Sequence, residues 1–328
     1  MRDMTKLLAC GLISADITFR VGEMPRLPEK HRAEDVRFSL GGGGAIAAVA
    51  MQRLGAQVQL AGRLGNDLFG DLLRTEIARR SLGESLVQRM ASGKSPVSSV
   101  FVDDRGDRQI VNYRQPDSVT STETEASVGL ADSAVRSAGS GSLEALDARE
   151  LQAIDTPHAV LVDTRWEAAA LQVLAYARQA GIPAVVDGEA PVSHAAMSLA
   201  THIAFSRQGL RDYADGDELE AGLRQAQAQF GNWVCVTDGE KGVFHLQEGA
   251  FMHTPAFPVR AMDTLGAGDV WHAAFTLQLA RGLDESAAIR FANAAAALKC
   301  ASADGLDGIP VFEDVQALLE AAQPGWST

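Results

Sequence analysis

Leu7–Cys10, Gln57–Ala61, Ala159–Asp163, Ala184–Asp187, Ile203–Phe205 and Trp233–Thr237 are short runs dominated by apolar and β-branched side chains. A strand covered on both faces produces that pattern, because both of its sides need apolar groups. Between these runs, Ala45–Leu54, Ala168–Gln179 and Glu218–Gln229 carry apolar residues at helical spacing. Gly55, Gly181 and Gly231 follow, where a left-handed residue closes a helix. Strands alternating with helices predict an α/β fold in three layers, a mainly parallel sheet with helices on both faces.

Two stretches depart from the alternation. Asp16–Val21 with Arg32–Leu40, and Val97–Tyr113, read as strands of mixed polarity with no helix between them. Asp104-Arg-Gly-Asp107 lies between apolar runs and signals a hairpin turn. These stretches, from about 15–40 and 97–117, predict a small antiparallel β lid standing off the main body. Residues 118–150 hold Ser, Thr, Ala, Glu and Gly with few large apolar groups, which predicts a surface insertion. No internal repeat is visible, and residues 1–328 read as one domain.

The chain has 328 residues, 46% apolar and 22% charged, enough to bury a large core and unlike a disordered chain. Its formal net charge is 29 − 42 = −13. That argues against nonspecific nucleic-acid or membrane-surface binding, which rests on excess Lys and Arg. Cys10, Cys235 and Cys300 are few, distant and odd in number, so they read as small buried groups rather than a zinc site or disulfide framework. No apolar run reaches the roughly 18 residues of a bilayer span, and the first residues read as a strand rather than a leader. A cytoplasmic location is expected.

Asp263-Thr-Leu-Gly-Ala-Gly-Asp269 is the sharpest motif, followed by the helix pattern Val270–Gly282. Gly266 and Gly268 permit a tight turn that aims several N–H groups one way at a helix N-terminus, an anion hole. Asp269 then falls in the first helical turn. A carboxylate beside an anion hole is what phosphoryl transfer to a hydroxyl requires: one takes the proton, the other stabilises the transferring group. A glycine turn with an acidic first turn, common in α/β proteins, is the alternative on geometry alone.

The motif resembles the C-terminal signature of the ribokinase-like (PfkB) sugar kinases. Gly11 through Asp16 resembles that family's first strand and sugar-binding aspartate. Gly41–Gly55 followed by Gly62–Gly70 resembles its N-terminal signature. Val236-Thr-Asp-Gly239 with Gly242 is similar to its turn under the ATP phosphates, and Phe291–Leu298 to the helix whose Asn293 position lines the adenine pocket. The resemblance spans roughly residues 5–320. It implies Asp269 as base, Gly266, Ala267 and Gly268 as anion hole, and Asp16, Gly42 and Gly43 as sugar ligands. Thr237, Gly239, Gly242 and Asn293 would hold the nucleotide. It further implies Mg-ATP as co-substrate, leaves room for a monovalent cation, and makes the lid a homodimer contact.

Two departures stand out. Ile46 replaces the usual Asn, removing one sugar contact, and Ser206-Arg-Gln-Gly209 stands where an Asn-x-x-Glu motif tied to magnesium is expected, so the metal ligands are unassigned. Ile110–Tyr113 with Pro116-Asp117, Val162–Trp166, Asp187-Gly188, Ala204–Ser206 with Gly209-Leu210, and Leu298–Cys300 with Gly308–Pro310 resemble one branch, the 6-deoxy-6-sulfofructose kinases. By that resemblance Asn112 and Arg165 grip a sulfonate, with Lys30 or His31 as a loosely matched third group. A guanidinium beside an amide donor suits a tetrahedral oxyanion. The expected activity is γ-phosphoryl transfer to a primary hydroxyl of a monosaccharide, such as C1 of the sulfosugar. Fructose, ribose, 2-keto-3-deoxygluconate or nucleoside phosphorylation is the alternative, as is a non-catalytic sugar-binding relative. Gly93-Lys-Ser95 lacks the first glycine of a P-loop, and Gly42-x-Gly44-x-x-Ala47 lacks the later acidic residue of a dinucleotide site. His31, His245, His253 and His272 form no metal-ligand spacing.

Overall fold

The computed structural model describes residues 4–105, 107–114 and 145–322. The chain opens with β1 (Lys6–Cys10), β2 (Ser14–Arg20), β3 (Asp35–Gly41), α1 (Gly43–Arg53), β4 (Gln57–Leu64), α2 (Leu68–Arg79) and β5 (Gly83–Arg89). The hairpin β6 (Val97–Val102) and β7 (Arg108–Tyr113) follows. Next come α3 (Ala148–Ala153), β8 (Ala159–Val162), α4 (Glu167–Ala180), β9 (Ala184–Gly188), α5 (His194–Leu199), β10 (His202–Ser206), α6 (Arg207–Ala214) and α7 (Leu219–Phe230). The last part forms β11 (Trp233–Thr237), β12 (Val243–Gln247), β13 (Ala250–Thr254), α8 (Ala267–Ala280), α9 (Glu285–Cys300) and α10 (Phe312–Ala321).

Nine strands make one sheet in the order β13-β12-β11-β10-β9-β8-β1-β4-β5. Every neighbouring pair is parallel except β11–β12 and β12–β13 at one edge. Side chains alternate across the sheet. Leu7 and Ala9 of β1 join one core with α1, α2, α8, α9 and α10, while Leu8 and Cys10 join the other with α3 to α7. This is the three-layer α/β architecture expected. The edge strand β5, with polar residues on both sides, lacks the apolar run that marks the others.

α1 and α8 are the innermost helices: every residue from Gly44 to Met51 and from Val270 to Leu279 is buried. At about 1.5–3 kcal/mol for each large apolar side chain buried, their axes are held firmly, and so are their N-termini. The lid is a separate sheet of order β3-β2-β6-β7, two antiparallel hairpin pairs joined through the parallel pair β2–β6.

Of the expected insertion, residues 118–144 lie outside the described residues, as do Pro116 and Asp117. Residues 145–150 belong to the body: Leu146 is buried in the second core, and its carbonyl accepts from Gln172 Nε2 at 3.1 Å. The expectation of an insertion reaching 150 is corrected there, since α3 packs its Leu151 into the same core. Cys10 and Cys235 are buried free thiols and Cys300 is half-buried. No helix among the described residues is long and apolar enough to cross a membrane.

Candidate active site

β1 sits where connections diverge, with β4 on one side and β8 on the other. In an open α/β sheet the crevice beyond the carboxyl ends at such a point is where ligands bind. Asp163 follows β8 and ties this end together. Its Oδ2 accepts the N–H groups of Leu12 (2.8 Å) and Gly44 (3.1 Å), and its Oδ1 accepts that of Arg165 (2.9 Å). The glycine run at the start of α1 is required by contact. A Cβ on Gly41 would strike the Asp16 carboxylate, and one on Gly44 would lie 2.8 Å from the Gly11 backbone. Gly42 has φ +92° and abuts the Leu12 carbonyl. Gly43 is flanked by two carboxylates, its Cβ position 3.1 Å from both Asp163 Oδ2 and Asp269 Oδ1. Gly42, Gly43, Asp163 and Asp269 thus line one small space.

Gly266 precedes α8 as its N-cap; its φ of +75° turns the chain into the helix, and no side chain caps it. The N–H groups of Gly268 and Asp269 therefore lack helix partners, and that of Ala267 reaches the Thr264 carbonyl at 3.3 Å. A Cβ on Gly268 would meet nothing within 4 Å, so open space lies over the free N–H groups. Of Gly266, Ala267 and Gly268, the residues expected to form the hole, Gly268 is the most open. Ile46 is buried and turns its methyl groups toward Gly266, 3.2 Å from that residue's Cβ position.

Asp269 is half-buried. Burial first, then the charges of Asp187, Asp163, Glu189 and Asp16, push its pKa well above the usual carboxylate range. A raised pKa brings a carboxylate nearer to the operating pH, where a general base works best. Asp16, on β2, is buried and bonded by Ser14 Oγ at 2.9 Å; burial raises its pKa against the bonds from Ser14 and Ser98. Strand register puts Asp16, Ser39, Ser98 and Asn112 in one row across the lid. Paired residues share a face, so Asn112 stands on the same side as Asp16.

Arg165 follows Asp163 directly and is half-buried. Arg114, one residue beyond β7, feels Arg165, Asp163, Asp16 and Glu189. Burial, and then the like charge of Arg165, hold its pKa below the ordinary arginine value. Among the described residues, no carboxylate comes within ion-pair distance of either guanidinium. Lys30 lies apart. It is exposed in the loop between β2 and β3, with no contact to the site, and the expectation that it grips substrate is corrected on that ground.

On the nucleotide side, Thr237 ends β11 and donates to the Phe205 carbonyl at 3.4 Å. Gly239 (φ +55°) leaves open space above it, while Gly242 (φ +95°) presses on the Thr254 carbonyl. Asn293 is 4% exposed and already committed. Its amide donates to the carbonyls of Pro255 (2.9 Å) and Thr254 (3.3 Å), and its oxygen accepts Trp271 Nε1–H (2.8 Å). The expected adenine-lining role is corrected: Asn293 clamps the chain after β13 against α8 and offers no free donor to a ligand. Ser95 likewise has a structural task, bonding both Asp67 oxygens at 2.7 and 2.8 Å.

Asp163, Asp187, Glu189 and Arg114 were given no role by sequence reasoning. The first two follow directly on the apolar runs Ala159–Val162 and Ala184–Val186, a usable signal; Glu189 and Arg114 become visible only when β9 and the lid converge. Among the described residues no group of three or more His, Cys, Asp or Glu side chains forms a metal cage. Asp187 and Glu189 near Asp269 are nonetheless oxygen donors of the kind that suits a divalent cation arriving on nucleotide phosphates.

Three comparisons bear on this geometry. A ribokinase of Bacillus subtilis is 26% identical over 317 residues, covering 96% of this chain and 100% of the relative. A crystal structure of an Agrobacterium tumefaciens protein proposed to be a ribokinase superposes with TM-score 0.82 at 27% identity, covering 97% of this chain and 98% of that one. Arabidopsis thaliana ribokinase complexed with ribose and ATP superposes with TM-score 0.76 at 21% identity, covering 97% and 99%. The pfkB family carbohydrate kinase signature matches residues 4–310, and the chain belongs to that family of ATP-dependent phosphotransferases.

Proposed function

We propose that this sugar kinase takes an anionic monosaccharide, 6-deoxy-6-sulfofructose, and phosphorylates its C1 hydroxyl. The observation that carries the reading is the pair of guanidiniums, Arg165 and Arg114, beside the acidic ring without a carboxylate partner among the described residues. Two like charges held together make an oxyanion subsite. Asn112, in the Asp16 row, adds an amide donor. Ile46 withdraws a polar contact near Gly266, which suits a sugar held by its charged end.

In this reading Asp16 and the N–H groups of Gly42 and Gly43 orient the hydroxyls, and the acceptor hydroxyl lies against Asp269. Asp269 takes the hydroxyl proton as the oxygen attacks the γ-phosphorus of ATP. The bond to the β-phosphate oxygen breaks, and the N–H groups of Gly268 and Asp269 hold the charge on the transferring group. Thr237 and Gly239 floor the phosphates. Asp187 and Glu189 are among the carboxylates near Asp269 that would hold Mg²⁺, which would supply neutralisation of the phosphate charge.

The lid's other face carries Phe19, Val36, Phe101, Val111 and Tyr113, with Phe19 and Phe101 stacked at 5.4 Å and Val36, Val111 and Tyr113 exposed. That apolar face supports a homodimer through the lid. The free thiols suit a cytoplasmic location.

A second reading, a neutral pentose or hexose, is favoured by the similarity to ribokinase. A coupled ADP-release assay across sulfofructose, fructose, fructose 6-phosphate, ribose, 2-keto-3-deoxygluconate and adenosine separates them. Highest kcat/KM for sulfofructose supports the anionic reading; highest kcat/KM for a neutral sugar returns Arg165 to a structural role.

A further inference from the structure

Asp263 opens the anion-hole motif, and cations hold it from two sides. The Lys299 ammonium, 1% exposed, donates to Asp263 Oδ2 at 2.9 Å and to the backbone carbonyl of the same residue at 3.1 Å. On the other carboxylate oxygen, Oδ1 accepts from Arg108 of the lid strand β7 at 2.8 Å and from the Leu265 N–H at 2.9 Å. The N–H groups of Met262 and Asp263 both reach the Cys300 carbonyl, at 2.7 and 3.1 Å, so the turn is knit to the end of α9.

Lysine is almost never fully buried without a partner, because removing an ammonium from water costs several kcal/mol. Here the ammonium is met by one carboxylate oxygen and one carbonyl oxygen of a single residue, and it lies in the last turn of α9, where the helix dipole favours a cation. A hard oxygen pair of this kind is what a small monovalent cation would occupy. Lys299 already fills it, and the remaining carboxylate oxygen is taken by Arg108 and Leu265. The expected monovalent cation does not fit at this residue.

We infer that the Lys299 ammonium stands in place of a bound monovalent cation behind the anion hole, so that the turn carrying Gly266 to Asp269 is organised without potassium. Lys299 is on this account a positioning residue, acting through Asp263. The inference uses the kinase reading only for its activity arm; the stability arm is independent of it.

The test is a KCl titration of the purified protein at constant ionic strength, balanced with tetramethylammonium chloride. A ligand that binds only the folded state raises Tm with its concentration. The expected result is a Tm constant within about 1 °C and a kcat constant within about twofold across the titration. A Tm that rises and saturates with potassium but not with tetramethylammonium, or activation above about fivefold, overturns the inference. Lys299→Met, which keeps the stem and removes the charge, should lower kcat by about tenfold or more and make Tm potassium-dependent, with potassium restoring part of the rate. A Lys299→Met protein with normal kcat overturns it too. If that variant does not fold, the wild-type titration alone decides. If no sugar is phosphorylated, the kinase reading fails while the Tm arm still reports on Lys299.

Discussion

Gly268→Ala should move stability and activity in opposite directions. Gly268 is the second residue of α8, its backbone is not among those with positive φ, and an added Cβ would meet nothing within 4 Å. Replacing glycine by alanine at such a helical position stabilises by about 0.4–1 kcal/mol, mainly by restricting the unfolded chain. For a chain of this size that is a Tm gain of roughly 0.5–1.5 °C. The same methyl fills the space over the free N–H groups, where the transferring phosphoryl must lie. Displacing that charge from its donors should lower kcat by about 10²–10³, equivalent to about 2.7–4 kcal/mol of lost transition-state stabilisation. Differential scanning fluorimetry and the ADP-release assay read the two quantities on one preparation. Gly42→Ala is the contrast, because φ of +92° and the Leu12 carbonyl leave no room, and it should lose Tm as well as activity. A Gly268→Ala enzyme within about threefold of wild-type kcat would refute the placement of the phosphoryl group over Gly268, since an intact hole carries two orders of magnitude or more.

Asp269→Asn should lower kcat by about 10²–10⁴ while sugar binding, measured calorimetrically, is retained. Because the Asp269 pKa is raised in the folded state, that state binds the extra proton. The stabilising contribution is complete below the ordinary carboxylate pKa and is lost as pH rises through the raised one. Tm of Asp269→Asn should therefore exceed wild type above the raised pKa and converge with it in acid; a gap that widens in acid contradicts the assignment. Wild-type kcat/KM should rise with pH through the same raised pKa and then level, and a profile flat from acid to neutral would remove Asp269 as the base. Val111→Asp, on the exposed lid face, should give a monomer by analytical ultracentrifugation; an unchanged dimer would place the contact elsewhere.

The layers were legible because a strand buried on both faces is apolar at consecutive positions: Trp233–Thr237 is one such run and is β11 without a residue's difference. The edge strand β5 was not, since half of its side chains answer to solvent. The uncapped start of α8 was legible because its glycine turn, its free N–H groups and Asp269 fall within seven residues. The rest of the site assembles from distant segments. Asp163 meets Leu12 across 151 positions, and Lys299 meets Asp263 across 36, so neither partnership leaves a local pattern. Asn293 shows the reverse failure. A polar residue in an alanine-rich helix invites a ligand, yet its bonds are all internal, to Trp271 and to two carbonyls after β13.

The most direct measurement is kcat/KM for 6-deoxy-6-sulfofructose and for fructose, each with wild type and Arg165→Ala. Wild type should favour the sulfosugar, and the substitution should lower its kcat/KM by about 10–100-fold, the worth of a charge-assisted pair, while fructose changes by less than about threefold. Equal losses on both sugars, or a wild type that prefers fructose, would contradict an anion subsite at Arg165.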